Sequence, residues 1–191
     1  MAVKWAIKTV LGLVMLGLCL FGVAGRLDWP AAWGLMAIAA ANQVLVYALV
    51  SRVHLDLLEE RGRIRPGTKK WDRTLAPLMA YSGMIICIAC ALDRRFGWTG
   101  SFPGWLSWVA LLPILAGLAL GQWAAVTNRF FSATVRIQTE RGHRVVEDGP
   151  YRYVRHPGYI SAILYNLATP LLLSSWWGLV PGVLAVGVAL I

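Results

Sequence analysis

The stretch PGYISAILYNLATPLLLSSWWGLVPGVLAVGVALI, residues 157–191, carries no charged side chain. As one helix it would be about 52 Å long at 1.5 Å per residue, against a hydrocarbon core of about 30 Å, so it has to turn back on itself. Pro170, followed by Ser174-Ser175 and Gly178, marks the place. The stretch therefore predicts a tight helical hairpin of two short membrane spans over 157–191. Working outward, a first span fits 3–24, with Lys8 near enough to its start to reach the interface along its aliphatic stem. Pro30 opens a charge-free run to Val50 that suits a second helix, and the first two spans form a hairpin. A third span fits 75–92 and a fourth 103–127, with Asp93, Arg94 and Arg95 beginning the turn between them. The expected fold is all-α: a polytopic transmembrane helical protein of about six spans, its last two forming the hairpin. The whole of 1–191 is read as a single membrane domain.

Composition supports a bilayer rather than water. Of 191 residues, 58% are hydrophobic and only 14% charged, far from the balance of soluble domains. A net charge of +9 would suit nucleic acid if it were gathered on one soluble face, but these charges sit between apolar runs, and no nucleic-acid partner is expected. Trp5, Trp29, Trp71, Trp98, Trp105 and Trp176 lie at the ends of those runs, as interfacial aromatic belts do. Lys4 and Lys8 precede an apolar stretch as in a signal peptide. No small-residue cleavage site follows, and the segment reads as a retained first helix. Cys19, Cys87 and Cys90 all fall inside apolar runs and read as small core residues; no metal site is expected.

Apart from Arg26, Arg94 and Arg95, all of the 18 Lys and Arg residues lie in the N-terminus and in two loops, 51–73 and 128–156. The asymmetry places the N-terminus and both loops in the cytoplasm, in a membrane of the bacterial inner-membrane type. The 51–73 segment is a basic cytoplasmic loop. Val53, Leu55, Leu57 and Leu58 among its charges suit the membrane surface, and Arg65-Pro66-Gly67 breaks it. His54 and Glu59-Glu60 belong to its solvated face.

The second loop has a different character. It reads NRFFSATVRIQTERGHRVVEDGPYRYVRHPGY, residues 128–159, and gathers polar, aromatic and turn-forming residues between two apolar helices. Gly142 and Gly149-Pro150 each permit a tight turn, and Val145 and Val146 can pack under a ligand. Pro157 suits the first position of a helix, which puts His156 at its cap and turns free backbone N–H groups toward the loop. With Arg152 and Arg155 close by, that end could hold a carboxylate, and Tyr151, Tyr153 and Tyr159 could supply rings for a flat or cationic group. The residues alone also fit a loop whose arginines meet lipid phosphates and whose tyrosines belong to the aromatic belt. In the second span, Asn42 and Gln43 either line a substrate path or bond a neighbouring helix.

Gly149-Pro150-Tyr151 followed by Arg155-His156-Pro157-Gly158-Tyr159, with Gln138 and His143-Arg144-Val145-Val146 upstream, resembles the isoprenylcysteine carboxyl methyltransferase family and its phospholipid methyltransferase relatives. The resemblance covers about 30 contiguous residues, between a membrane helix and a helical hairpin as that family requires. It implies a membrane methyltransferase in which 128–159 forms a cytoplasmic cofactor-binding loop around S-adenosylmethionine. Gln138, His143, Arg144, Val145, Val146, Tyr151, His156, Pro157, Gly158 and Tyr159 would be the cofactor contacts, with Arg155 a structural neighbour. The methyl acceptor would be a lipid or lipid-linked carboxyl or amine. The family continues beyond the hairpin into a cytoplasmic tail with an arginine and a pair of glutamates. The sequence here stops at Ile191, so a fragment or an incomplete enzyme is expected. Two other classes fit the same pattern: a membrane reductase of the sterol-reductase type using NADPH, and a non-catalytic membrane protein with a vestigial pocket.

Overall fold

The computed structural model describes residues 2–53, 72–131, 142 and 144–189. Most of the basic 51–73 segment, including His54 and Glu59-Glu60, lies outside the described residues. Every regular element among them is helical.

α1 (Ala2–Gly17) runs without a break into one π turn, Leu18–Gly22. The wider turn brings Cys19, Leu20 and Phe21 into the core. Gly25, at φ +69°, closes the helix by donating its N–H to the Phe21 carbonyl at 2.9 Å. In the exposed turn that follows, Arg26 Nε donates to Asp28 Oδ1 at 2.7 Å, and this bond holds the Asp28 carboxyl down at about 2. α2 (Pro30–Val53) starts with its proline at the first position, directly after the buried Trp29. Trp5 stacks on Tyr47 with ring centroids 4.3 Å apart, which pairs α1 with α2 as the expected hairpin.

α3 (Asp72–Phe96) is longer than the expected third span, and the turn thought to begin at Asp93 comes after Phe96. The reason is the environment of Asp93. Its carboxylate is 2% exposed and accepts hydrogen bonds from the Thr99 N–H at 2.7 Å, the Ser175 hydroxyl at 2.5 Å and the Thr99 hydroxyl. A buried carboxylate with three donors is fully solvated by protein, so the helix can carry it inward instead of ending. Arg95 Nη1 donates to the Val23 carbonyl at 3.1 Å and ties the same end to α1.

The expected fourth span is a pair of helices, α4 (Gly104–Val109) and α5 (Leu111–Thr127), separated at Ala110. Pro113 lies four residues beyond Val109. It offers no N–H to the Val109 carbonyl and its ring crowds that oxygen, which accounts for the break. α6 (Pro157–Leu172) and α7 (Leu179–Ala189) pack against each other as a hairpin. Its turn is closed by Ser174 at φ 60° and by the Ser175 N–H on the Pro170 carbonyl at 2.9 Å. Ser107 Oγ of α4 donates to the Leu171 carbonyl at 3.1 Å, fixing the turn laterally.

Trp5–Gly22, Pro30–Val53, Pro77–Phe96 and Gly104–Thr127 are each long and apolar enough to cross a membrane. α6 and α7, at 16 and 11 residues, are shorter than a full crossing. The chain is a polytopic helical membrane protein whose hairpin nests among longer helices.

Gly178 sits where a Cβ would collide with the Cys90 sulfur and come within 3.0 Å of Pro170. Gly178→Ala is expected to destabilise the protein by about 1–3 kcal/mol, and Cys90→Ala in the same chain to recover part of that loss. Thermal unfolding of the three variants in detergent measures both effects.

Candidate functional site

The loop after α5 is anchored by Asn128. Its side-chain oxygen accepts the Phe130 N–H at 2.8 Å, and its amide nitrogen donates to the Tyr151 hydroxyl at 3.1 Å. That second bond spans 23 residues and holds the 3₁₀ turn Gly149–Arg152 over the end of α5. Gly149 makes the approach possible. At φ +58° it occupies the left-handed region, and a Cβ there would lie 2.6 Å from Thr127 Oγ1 and 3.1 Å from Trp123 Nε1. Pro150 is buried, and its carbonyl accepts the N–H groups of Tyr153 and Val154, each at 3.1 Å.

The chain then reaches His156, the N-cap of α6. The His156 carbonyl accepts the Tyr159 N–H at 3.0 Å and the Ile160 N–H at 3.4 Å. Its ring lies against that of Tyr159 with centroids 5.2 Å apart and planes 17° from parallel. Val145, Val146, Glu147, Tyr151, Arg152, Arg155 and His156 line a cavity of about 680 Å³. Two guanidinium groups, one carboxylate, two aliphatic side chains and a histidine already stacked on a tyrosine thus surround one space.

A second cavity, of about 560 Å³, lies among α2, α3, α5 and α6. Gly158 and Phe131 line it at the start of α6, where a Cβ on Gly158 would lie 2.9 Å from the Phe131 ring. Further along α6 it is bordered by Ser161 and Asn166, and across from them by Gln122, Asn42 and Gln43. Gln122 Nε2 donates to Asn42 Oδ1 at 2.6 Å, a bond between α5 and α2. Both cavities take lining residues from the start of α6, His156 in the first and Gly158 in the second.

Of the residues singled out in the sequence, Val145, Val146, Tyr151 and His156 come together around the first cavity. Tyr159 reaches it through its contact with the His156 ring, and Pro157 is buried at the helix start. Gly158 faces the second cavity, and Arg144 is exposed without lining either. Gln138 and His143 lie outside the described residues. Sequence reasoning did not single out Glu147, whose place beside the two valines gives no local signal, nor Phe131, Gln122 and Ser161. Gln122 carried a signal that went unread: an amide inside an apolar run, which in lipid calls for a partner.

Residues 108–190 match the Isoprenylcysteine carboxyl methyltransferase (ICMT) family. The resemblance seen in 138–159 is therefore borne out, and the match runs from α4 to the end of the hairpin. The chain is also similar to a probable protein-S-isoprenylcysteine O-methyltransferase of Oryza sativa subsp. indica, 33% identical over 69 residues, covering 36% of each chain. Against protein-S-isoprenylcysteine O-methyltransferase B of Arabidopsis thaliana it is 32% identical over 78 residues, 38% of this chain and 40% of that one. The similarity thus spans well under half the length of these relatives. No solved structure matches the chain significantly.

The loop geometry leads to a test. Gly149→Ala should lift the 3₁₀ turn off α5, because it adds both a left-handed penalty of about 1–2 kcal/mol and a clash with Thr127. Hydrogen exchange read by mass spectrometry should quicken over 148–156 and stay unchanged in α1 and α3. Unchanged exchange at 148–156 would mean that the turn does not depend on this contact.

Proposed function

We propose that the chain is a membrane methyltransferase that takes its methyl group from S-adenosylmethionine and passes it to a lipid or lipid-linked carboxyl or amine. One observation carries the reading. The start of α6 contributes to the lining of two cavities, a charged, aromatic-lined one outside the apolar helices through His156 and one between those helices through Gly158. The family match over 108–190 and the printed names of the plant relatives support the same chemistry.

The residues around the first cavity suit the donor. Its volume falls in the range of about 300–1,000 Å³ usual for small-molecule sites. Arg152 and Arg155 match an amino-acid carboxylate, Val145 and Val146 an apolar contact, and the stacked His156 and Tyr159 rings a flat base or a sulfonium. Glu147 offers the acceptor that ribose hydroxyls or an ammonium group would need. Gln138, His143 and Arg144 belong to the same proposed set. When bound, S-adenosylmethionine supplies an electrophilic methyl group on a positively charged sulfur. The chain's own part is to align and to exclude water: the start of α6 holds the His156 and Tyr159 rings together at the first cavity, and Gly158 with Phe131 borders the second. Holding donor and acceptor in line on either side of that turn converts a bimolecular encounter into a positioned one. A carboxylate acceptor needs no base, whereas an ammonium acceptor must first lose a proton.

His156→Ala and Tyr159→Ala should each weaken S-adenosylmethionine binding by about tenfold, roughly 1.4 kcal/mol. Leu112→Ala, on a 70% exposed side chain outside both cavities, should leave it unchanged. Equilibrium binding to detergent-solubilised protein reads this, and transfer of labelled methyl into extracted membrane lipids reads the reaction. Equal losses at all three positions, or tighter binding of NADPH than of S-adenosylmethionine, would overturn the reading.

The same proposal has a topology. A donor made in the cytosol enters from the side of loops 51–73 and 128–156, which puts both loops and the N-terminus in the cytoplasm. In intact cells, an impermeant thiol reagent should label Trp98→Cys and spare Gly142→Cys, each in a background without the native cysteines. The reverse pattern would invert the orientation.

A further inference from the structure

A third cavity, of about 310 Å³, lies at the other end of the hairpin, between the last turn of α3 and the turn that joins α6 to α7. Its walls carry two opposite charges that do not meet. Asp93 and Arg94 both line it, yet the ion pair found among the described residues is Arg26 with Asp28, and neighbouring positions on a helix point about 100° apart. Asp93 is 2% exposed, and its donors, the Thr99 N–H and the Thr99 and Ser175 hydroxyls, are all neutral. They solvate its charge without cancelling it. Arg94 is exposed and makes no hydrogen bond among the described residues. Asp28, near enough to feel the Arg94 charge, is already held by Arg26 Nε at 2.7 Å. The Thr99 and Ser174 hydroxyls are likewise committed, to Asp93 and to Ser107. What the cavity still offers is one negative and one positive charge.

Glycine keeps the space beside them open. Gly97 and Gly100 line the cavity at φ +68° and +65°, and a Cβ on either would meet nothing within 4 Å. Aromatic rings stand next to it. Phe102 lines the cavity and packs on Trp176 with centroids 4.7 Å apart, and Trp98, 52% exposed, lies 5.4 Å from Phe96 and 6.0 Å from Trp177. Exposed tryptophans gather where the headgroups of a bilayer lie, so the molecules that meet this cavity are lipid headgroups.

We infer that the cavity binds the headgroup of a zwitterionic phospholipid, with the phosphate on the Arg94 guanidinium and the ammonium toward the Asp93 carboxylate, as a lipid that is held and not methylated. The site stands apart from the methyltransferase reading: α6, 16 residues and about 24 Å long, separates it from His156 and Gly158. A purely anionic headgroup would pair with Arg94 but set its charge against Asp93, and a lone cation would do the reverse. A zwitterion meets both. The planar guanidinium matches two phosphate oxygens at once, and a primary ammonium brings the donors that a carboxylate accepts.

Native mass spectrometry of the full chain in a maltoside detergent tests this, by titration with dioleoyl phosphatidylethanolamine, dioleoyl phosphatidylglycerol and water-soluble glycerophosphoethanolamine. The wild type should bind phosphatidylethanolamine about tenfold more tightly than phosphatidylglycerol, and glycerophosphoethanolamine far more weakly than either. Arg94→Gln, on an exposed side chain, should weaken phosphatidylethanolamine binding about tenfold and leave thermal unfolding of the lipid-free protein unchanged. Asp93→Asn should bring the two phospholipids within about twofold. Because Asp93 also ties down the hairpin, the wild-type preference and Arg94→Gln decide the result if that variant misfolds. Equal binding of the two phospholipids by the wild type, or binding indifferent to Arg94→Gln, would overturn the site. Glycerophosphoethanolamine binding as tightly as the lipid would make the ligand a free zwitterion and overturn the lipid assignment. Loss of binding in Gln43→Leu with none in Arg94→Gln would overturn it too, by placing the lipid in the cavity between the helices.

Discussion

The architecture depends on the close approach of α5 and α6. A Cβ on Gly117 would lie 2.9 Å from the Ser161 carbonyl, and one on Gly121 would lie 2.6 Å from the Ser161 hydroxyl. Within a bilayer the hydrophobic effect does not distinguish helix from lipid, so such contacts between small residues are what bind one helix to another. The consequence is positional. The C-terminal end of α5 and the N-terminal end of α6 are brought side by side, and the loop between them has to fold over their junction. Asn128, Gly149 and the Tyr151 hydroxyl make that fold-over possible. Without the two glycines α6 would stand farther off, and the first turn that borders both cavities would lose its seat.

The other end of the hairpin is held by polar groups instead of shape. The buried Asp93 and Ser175 form one cluster with the half-buried Thr99, and Ser107 reaches the turn from α4. This matters because α6 and α7 are short. A hairpin that does not span the bilayer by itself needs anchors within the protein, and a satisfied carboxylate in a poorly polar setting is a strong one. The π turn of α1 supports the same region by sending Leu20 and Phe21 toward the residues around Cys90. Packing at one end and hydrogen bonding at the other thus leave the middle of the α2, α3, α5 and α6 group open, and the second cavity occupies that space.

Much of this was legible in advance. Apolar runs of about 20 residues report membrane helices because every backbone group in lipid must be satisfied within its own helix, a requirement indifferent to tertiary detail. Pro30 and Pro157 marked helix starts for an equally local reason, the missing N–H and preset φ. The turn of the hairpin followed from helix length against bilayer thickness. Asp93 misled because its charge looked like a boundary, when two of its donors come from Thr99 across the following turn and the third from Ser175, 82 residues away. The break at Ala110 had a local cause in Pro113, but proline inside an apolar run does not announce whether the helix bends or stops.

The candidate site divides in the same way. Residue types and their order within 128–159 determined that this loop gathers several rings, guanidinium groups and turns in one stretch, and its likeness to a family pointed to the same residues. Those are one-dimensional properties, because a motif is a local arrangement read along the chain. Only the tertiary structure decided that Glu147 joins Val145, Val146, Tyr151 and His156 around one cavity, that Gly158 faces another, and that Gln122 takes Asn42 as its partner. Those outcomes depend on how far apart α2, α5 and α6 stand and how they are rotated about their axes. Distance and rotation between helices are set by contacts such as Gly121 on Ser161, 40 residues apart in the chain, which no periodicity or local propensity encodes.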